Sequence, residues 1–467
     1  MSNSLENIDN IPWQVQQLEE LTHHKKSVYF DVEDFEEIID YYVVQANYKQ
    51  SLNIAEYACR LHPSSINLML KRAQLLASDN KEKHALELLS EVEVLEPSNF
   101  EIFLTRGAIY SQMHNYEKAI EEYNKAVIES DEPDYVYCNI AFEYENMGNY
   151  GKTIEYLKKA LEVNPENDLA MYEAAYCFDL LSLSQESIDF FSKLIDKHPY
   201  STEAWFNLGI SFINTELYEK ALEAFEFALA IDPDHNSAIF HCAYAYSLMN
   251  RHTDAINTYH TLLDKEDDES DAIIHYYIGE CYEKLEDYDN AIVFYRKSTR
   301  LNGEITDAWI GLGVCENELG NTKSAIKHII KGLELDSENT AYLCILADIY
   351  FQEGLIDKAS DLYEKAISTS PEEESVRIDF ADGLAEREAY EAAAEVIMKA
   401  IEEIAPGPNL YYRMAALLYL QEKNKEGAFF MEEALTMDFD RHTAMLDQYP
   451  QLKNHQDINK LINLYSS

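Results

Sequence analysis

A small side chain recurs along this chain at a fixed interval. Ser51, Ala85, Ala119, Thr153, Ser187, Ala221 and Ala255 are 34 residues apart, and after one step of 36 the series continues through Ala291, Ala325, Ala359, Ala393 and Gly427. A second column lies 12 residues earlier: Ile39, Ala73, Gly107, Ala141, Ala175, Gly209, Ala243, Gly279, Gly313, Ala347, Ala381 and Ala415, where Ile39 alone departs from Gly or Ala. A chain with a strict period of this length does not build one central core. Each unit buries its apolar face against its neighbours.

Residues 202–235, TEAWFNLGISFINTELYEKALEAFEFALAIDPDH, show what one period contains. Trp205, Leu208 and Phe212 fall at helical spacing, and so do Ala221, Phe225 and Ala228, which predicts a helix, a turn and a second helix. Gly209 and Ala221 let the two backbones approach while the large side chains fill the space around that contact. Pro233 stops the second helix, with Pro63, Pro97, Pro165, Pro199 and Pro371 in the same column. These residues are spaced for packing, not for catalysis.

The pattern resembles the tetratricopeptide repeat family, whose W-L-G-Y-A-F-A-P signature is matched by Trp205, Leu208, Gly209, Phe212, Ala221, Phe225, Ala228 and Pro233. Twelve repeats can be laid out: 32–65, 66–99, 100–133, 134–167, 168–201, 202–235, 236–271, 272–305, 306–339, 340–373, 374–407 and 408–441. The resemblance implies an all-α fold, a right-handed superhelix with a concave groove. Residues 1–31, with IPWQVQQLEELTHH, are read as an N-terminal capping helix and lead-in, and residues 442–467, with DINKLINLY, as a C-terminal cap. Glu316 stands where an aromatic is usual, and six repeats lack the terminal proline. The acidic DKEDDESD at 264–271 accounts for the longer period and reads as a surface insertion, with a hinge as the alternative.

The formal charge of −49 argues against nucleic acid or an anionic membrane as partner and favours basic or amphipathic ones. No apolar run long enough to span a bilayer and no signal-peptide pattern occurs, so a cytoplasmic protein is expected. Seven cysteines, none in a C-x-x-C pair, predict reduced and mostly buried thiols. Phosphate-loop, dinucleotide, zincin and hydrolase-elbow motifs are missing, and His23–His24 and His235–His241 read as surface or packing histidines. Catalysis, cofactor and metal are therefore not expected.

If the first helices line the groove, positions 2, 5, 6, 9, 12 and 13 of each repeat face it. Those positions hold 17 acidic residues and three basic ones, Lys71, Lys284 and Arg413. Glu33, Glu36, Glu37 and Asp40 form the densest acidic cluster and would steer a basic ligand, and Asp379, Asp382 and Glu386 form another. Aromatic residues concentrate in repeats four to eight: Tyr135, Phe142, Tyr172, Tyr176, Phe206, Phe240, Tyr244, Tyr276 and Tyr277. With Asn139 and Asn207, which occupy the position where some family members hold a peptide backbone, they form the candidate contact surface for a protein or extended peptide. The Lys, Asn and Arg clamp that other members use on a C-terminal carboxylate is not matched. A non-enzymatic scaffold is the leading reading. A regulatory or adaptor subunit docking through its outer face is the alternative, and the oligomeric state and the partner's identity stay open.

Overall fold

The computed structural model describes residues 14–15, 30–263 and 271–466, and every regular element among them is helical. First helices run from Val32–Val44 to Pro408–Leu420 and second helices from Tyr48–Leu61 to Asn424–Met437, each beginning where the 34-residue register places it. The single longer step falls between Asn236–Leu248 and Ala272–Lys284, and the intervening second helix, His252–His260, is only 9 residues long. The acidic insertion and the N-terminal cap fall almost wholly outside the described residues. Of the lead-in only Gln14, Val15, Phe30 and Asp31 are described; the first three are buried, Asp31 caps Val32–Val44, and the Gln14 amide donates to the Glu37 carboxylate. After the last repeat come two short helices, His442–Gln448 and Gln456–Tyr465, and the second packs on Asn424–Met437 with Ile458 fully buried.

The chain divides into two compact units, Met1–Ala238 and Ile239–Ser467. Within each, helix pairs stack so that first helices of successive repeats touch. The local chemistry recurs with the repeat. Asn47, Ser65, Asn99, Asn115, Asn149, Asn167 and Ser201 each cap a helix by accepting a backbone N–H with the side chain. Between the helices of every repeat one residue is left-handed: Ala46, Asn80, His114, Gly148, Ser182, Glu216, Asn250, Glu286, Gly320, Gly354, Glu388 and Glu422. The next N–H then returns to the first helix, as from Asn47 to the Tyr42 carbonyl at 2.8 Å and from Leu217 to Phe212 at 2.9 Å.

The two small columns meet. A Cβ on Gly209 would lie 2.4 Å from the Phe225 ring, one on Gly107 2.5 Å from Tyr123, and one on Gly313 2.5 Å from Ile329. Two hydroxyls of the first column bond to the second: Ser51 Oγ donates to the Ile39 carbonyl at 3.1 Å and Thr153 Oγ1 to that of Ala141 at 3.3 Å, whereas Ser187 Oγ pairs with Ser211 Oγ at 2.7 Å. The departure at Ile39 has a partner in sequence register. Ala55 occupies the position that Phe225 fills in the sixth repeat, and both Ile39 and Ala55 are buried in one cluster, so large and small residues change places at these two positions.

The signature tryptophan also has a defined task. Trp205 Nε1 donates to the Pro199 carbonyl and Trp309 Nε1 to that of Gly303, each at 2.9 Å, tying the first helix to the turn before it. In the eleventh repeat Arg377 makes the same bond, from Nη2 to the Pro371 carbonyl at 2.9 Å. Glu316, nearly fully buried, accepts from Arg296 Nη2 at 2.6 Å. None of the seven cysteines forms a disulfide among the described residues, six of them are buried, and burial pushes the Cys138, Cys177 and Cys281 thiols up to about 11.

Candidate functional site

In the fourth and fifth repeats the aromatic positions are exposed. Phe142, Tyr172 and Tyr176 are 56%, 68% and 46% exposed, on the first helices Asp134–Asn146 and Asp168–Leu180. A cavity between these helices is lined by Asn139, Phe142, Glu145, Leu169 and Glu173. Tyr135 lies on the same helix and is exposed as well. Phe206, one repeat on, packs its ring 5.1 Å from His235 and 5.8 Å from Phe225. Asn207 is only 7% exposed, and its amide donates to the carbonyl of Glu203 in its own helix at 2.9 Å. That donor is thus committed to the helix, whereas Asn139 faces the cavity.

The second unit uses its aromatic residues differently. Phe240, Tyr244, Tyr276 and Tyr277 pack on one another: Tyr277 lies 5.2 Å from Phe240, 6.0 Å from Tyr244 and 5.1 Å from Tyr276. Tyr259, from the second helix His252–His260, stacks beneath Tyr277 at 5.7 Å. The four first-helix rings are half-buried, and Tyr259 is fully buried.

Charges on the first-helix face obey a register of their own. Asp40 at position 9 pairs with Lys71 at position 6 of the next repeat, Gln74 Nε2 donates to Thr105 Oγ1 from the same two positions, and Asp382 pairs with Arg413 likewise. Two of the three basic residues at groove positions are therefore spent linking repeats. Within the cluster Glu33, Glu36, Glu37 and Asp40, Glu37 and Asp40 have these local partners, while Glu33 is exposed. Asp348 and Asp379 occupy the same two positions with no basic member between them. Burial, then repulsion from Asp348 and Asp382, holds the Asp379 carboxyl above its ordinary range; burial raises that of Asp348 against a hydrogen bond from Tyr363. Because the folded chain disfavours the Asp379 anion more than the unfolded chain does, this group costs stability at neutral pH, and the cost fades as pH falls through its raised pKa. Asp379→Asn is expected to raise the melting midpoint at pH 7 by more than at pH 4. Thermal scans at both pH values check it, and a lower midpoint at pH 7 counts against the carboxylate rung.

Sequence reasoning on first-helix positions missed a contribution from the second helices. Tyr295 passes Gly279, reaches Gly311 of the next first helix with its Cζ and Oη, and donates to Glu283 at 2.7 Å. Tyr363, at the same repeat position, donates to Asp348 at 2.6 Å. The hydroxyls of this column reach the first-helix face from below. The signal was present in sequence, since a large aromatic recurs 16 residues after the Gly or Ala column, but only the packed helices show that it passes between them.

Among the described residues no group of three or more His, Cys, Asp or Glu could hold a metal ion, and no helix is long and apolar enough to cross a membrane. Tetratricopeptide repeat family models match residues 135–167 and 202–235, residues 243–304, and residues 100–127 and 340–373. The chain is a tetratricopeptide repeat protein. Its repeat fold is similar to that of the APC/C hetero-tetramer Cut9–Hcn1, at 14% identity over 98% of this chain and 99% of that one, with a TM-score of 0.42. It is also similar to YrrB, a tetratricopeptide repeat protein with an unusual peptide-binding site, at 23% identity over 40% of this chain and 95% of that one, with a TM-score of 0.28. A third similar structure is a monomeric mutant of IFIT1 with m7Gppp-AAAA, at 17% identity over 75% of this chain and 85% of that one, with a TM-score of 0.33. No curated protein matches the sequence.

Proposed function

We propose that this tetratricopeptide repeat protein is a non-enzymatic scaffold whose first-helix face binds a basic or amphipathic protein segment in extended form. The observation that carries the reading is the exposure of Phe142, Tyr172 and Tyr176 on two successive first helices of the first unit, with Phe142 lining a cavity beside them. Clustered aromatic side chains left open to water on one face mark a surface that is used, and such rings bury large area for little rotamer entropy when a partner covers them. The net charge of −49 supports a basic ligand and argues against nucleic acid and anionic membrane. Seven cysteines outside any disulfide suit a reducing compartment such as the cytoplasm.

A peptide selected on the full chain from a random-sequence display library provides the test. Phe142→Ala and Tyr172→Ala are each expected to weaken its binding by about 1 to 2 kcal/mol, mainly through faster dissociation. Neither change should lower helicity, because both side chains stand mostly in solvent. If both variants hold the peptide as the wild type does, the first-helix face is the wrong surface and the outer face takes its place.

A further inference from the structure

Lysine recurs at position 26 of the repeats, on the second helices, where several members have a carboxylate of their own. Lys125 pairs with Glu122 at 2.6 Å, Lys159 with Glu155 at 2.9 Å and Lys331 with Glu334 at 2.8 Å. Lys193, at the same position of the fifth repeat, forms no ion pair among the described residues, and Asp189, one turn before it, is held by Gln185 instead. Lys158, at position 25 of the fourth repeat, likewise has no carboxylate partner among the described residues; its ammonium lies 5.1 Å from the centre of the Phe178 ring and 5.3 Å from that of Phe190. Both lysines line one cavity of about 140 Å³ between the second helices Tyr150–Val163 and Ser184–Lys197, together with Lys197, Phe190, Leu194 and one carboxylate, Glu162. Lys158 is half-buried, while Lys193 and Lys197 are exposed, so the cavity is reached from solvent. In a chain of 86 acidic and 37 basic residues, three lysines against one glutamate reverse the local sign.

We propose that this cavity receives a carboxylate side chain, a glutamate or aspartate presented by a segment of a partner protein. A carboxylate only accepts, through two oxygens, so it can take hydrogen bonds from the Lys158 and Lys193 ammoniums together. The apolar stem of the incoming side chain lies against Phe190 and Leu194. Burial, then repulsion from Lys193, holds the Lys158 amine below its ordinary range, with Glu186 opposing the fall. The folded chain thus disfavours the Lys158 cation, and an anion in the cavity offsets that cost. The net charge of −49 repels a polyanion such as nucleic acid at long range, whereas one carboxylate on a protein segment meets the local field of the lysines. The site lies on the second helices and does not depend on the reading of the first-helix face; the two surfaces take segments of opposite charge.

The test uses the full chain and a fluorescent, C-terminally amidated eight-residue peptide with two glutamates among alanine and serine, titrated by anisotropy at physiological salt alongside glutamine and phosphoserine versions. The glutamate peptide is expected to bind the wild type and the glutamine version about tenfold more weakly. Lys158→Met keeps the stem over the rings and removes the charge, and Lys193→Gln removes the second donor; each is expected to weaken the glutamate peptide by about threefold or more. Lys193→Gln should also raise the melting midpoint of the free protein, because Lys158 loses its repelling neighbour. Lys152→Gln removes the same charge from the same helix, at a lysine already paired with Glu155, and should leave peptide binding unchanged. The proposal is overturned if the glutamate peptide does not bind the wild type, if both cavity variants bind it as tightly as wild type, or if Lys152→Gln loses as much as they do. Binding of the phosphoserine version alone would overturn the carboxylate assignment in favour of a phosphate.

Discussion

Gly209→Leu is expected to unfold the sixth repeat locally, at a cost of about 1 to 3 kcal/mol or more from overpacking. The first added atom alone would lie 2.4 Å from the Phe225 ring, and Phe225 is fully buried, so the ring cannot swing into solvent. Higher helix propensity returns less than about 1 kcal/mol. Phe225→Ala is expected to cost more, about 3 to 5 kcal/mol, because it leaves a cavity against the same glycine. The first repeat shows how the two changes combine, since there Ile39 and Ala55 occupy these positions with the volumes exchanged. The double variant Gly209→Ile with Phe225→Ala should therefore be more stable than the sum of its single changes by about 1 to 3 kcal/mol. Because repeats contact only neighbours, the loss should appear as faster amide exchange over residues 202–231 rather than throughout the chain. Wild-type exchange in Gly209→Leu would remove the close contact from the account, and strict additivity would remove the exchange of volumes.

Arg413→Ala is expected to destabilise the second unit by about 3 kcal/mol, among the largest effects of any change on the first-helix face. The guanidinium holds Asp382 with two nitrogens at 3.0 to 3.1 Å, and both side chains are about 15% exposed, at 15% and 14%. Tyr449, after the last repeat, donates to the same carboxylate at 2.6 Å, so one ion pair fastens the eleventh repeat, the twelfth repeat and the closing segment. Without Arg413, the recess lined by Asp348, Asp379, Asp382 and Glu386 keeps Arg387 as its one basic side chain. Its carboxyls can be relieved only by protonation, so the gap between variant and wild type should narrow as pH falls into the carboxylate range. Arg413→Lys should recover only part of the loss, because an ammonium cannot span both oxygens. Chemical denaturation of the three proteins at pH 7 and pH 4.5 checks the ranking and its pH dependence. Equal stabilities at pH 7 would show that this pair joins nothing.

The period, the two helices in each repeat and the contact between Gly209 and the second helix were legible in the sequence because each follows from spacing. A side chain recurs every 34 residues only if its surroundings recur, and small residues repeated at two positions imply two backbones close together. The tetratricopeptide repeat resemblance rests on the same residues. Sequence could not show what each polar or aromatic side chain does once the repeats are stacked, because that depends on atoms of other helices brought beside it by the fold. Position 5 of the fifth repeat, Tyr172, and the same position of the eighth, Tyr276, look alike in sequence, yet one stands in solvent and the other lies among rings. Asp40 and Glu37 counted as free charges until Lys71 and Gln14 were found beside them. Tyr259, which its place in the repeat does not set apart, packs its ring against Phe240 and Tyr277 of two first helices, and its hydroxyl has no hydrogen-bond partner among the described residues. Periodicity follows from contacts that every repeat makes with its neighbour in the same way; binding chemistry lies where one repeat departs from the rest, and the meaning of a departure is set only by what the fold places opposite it.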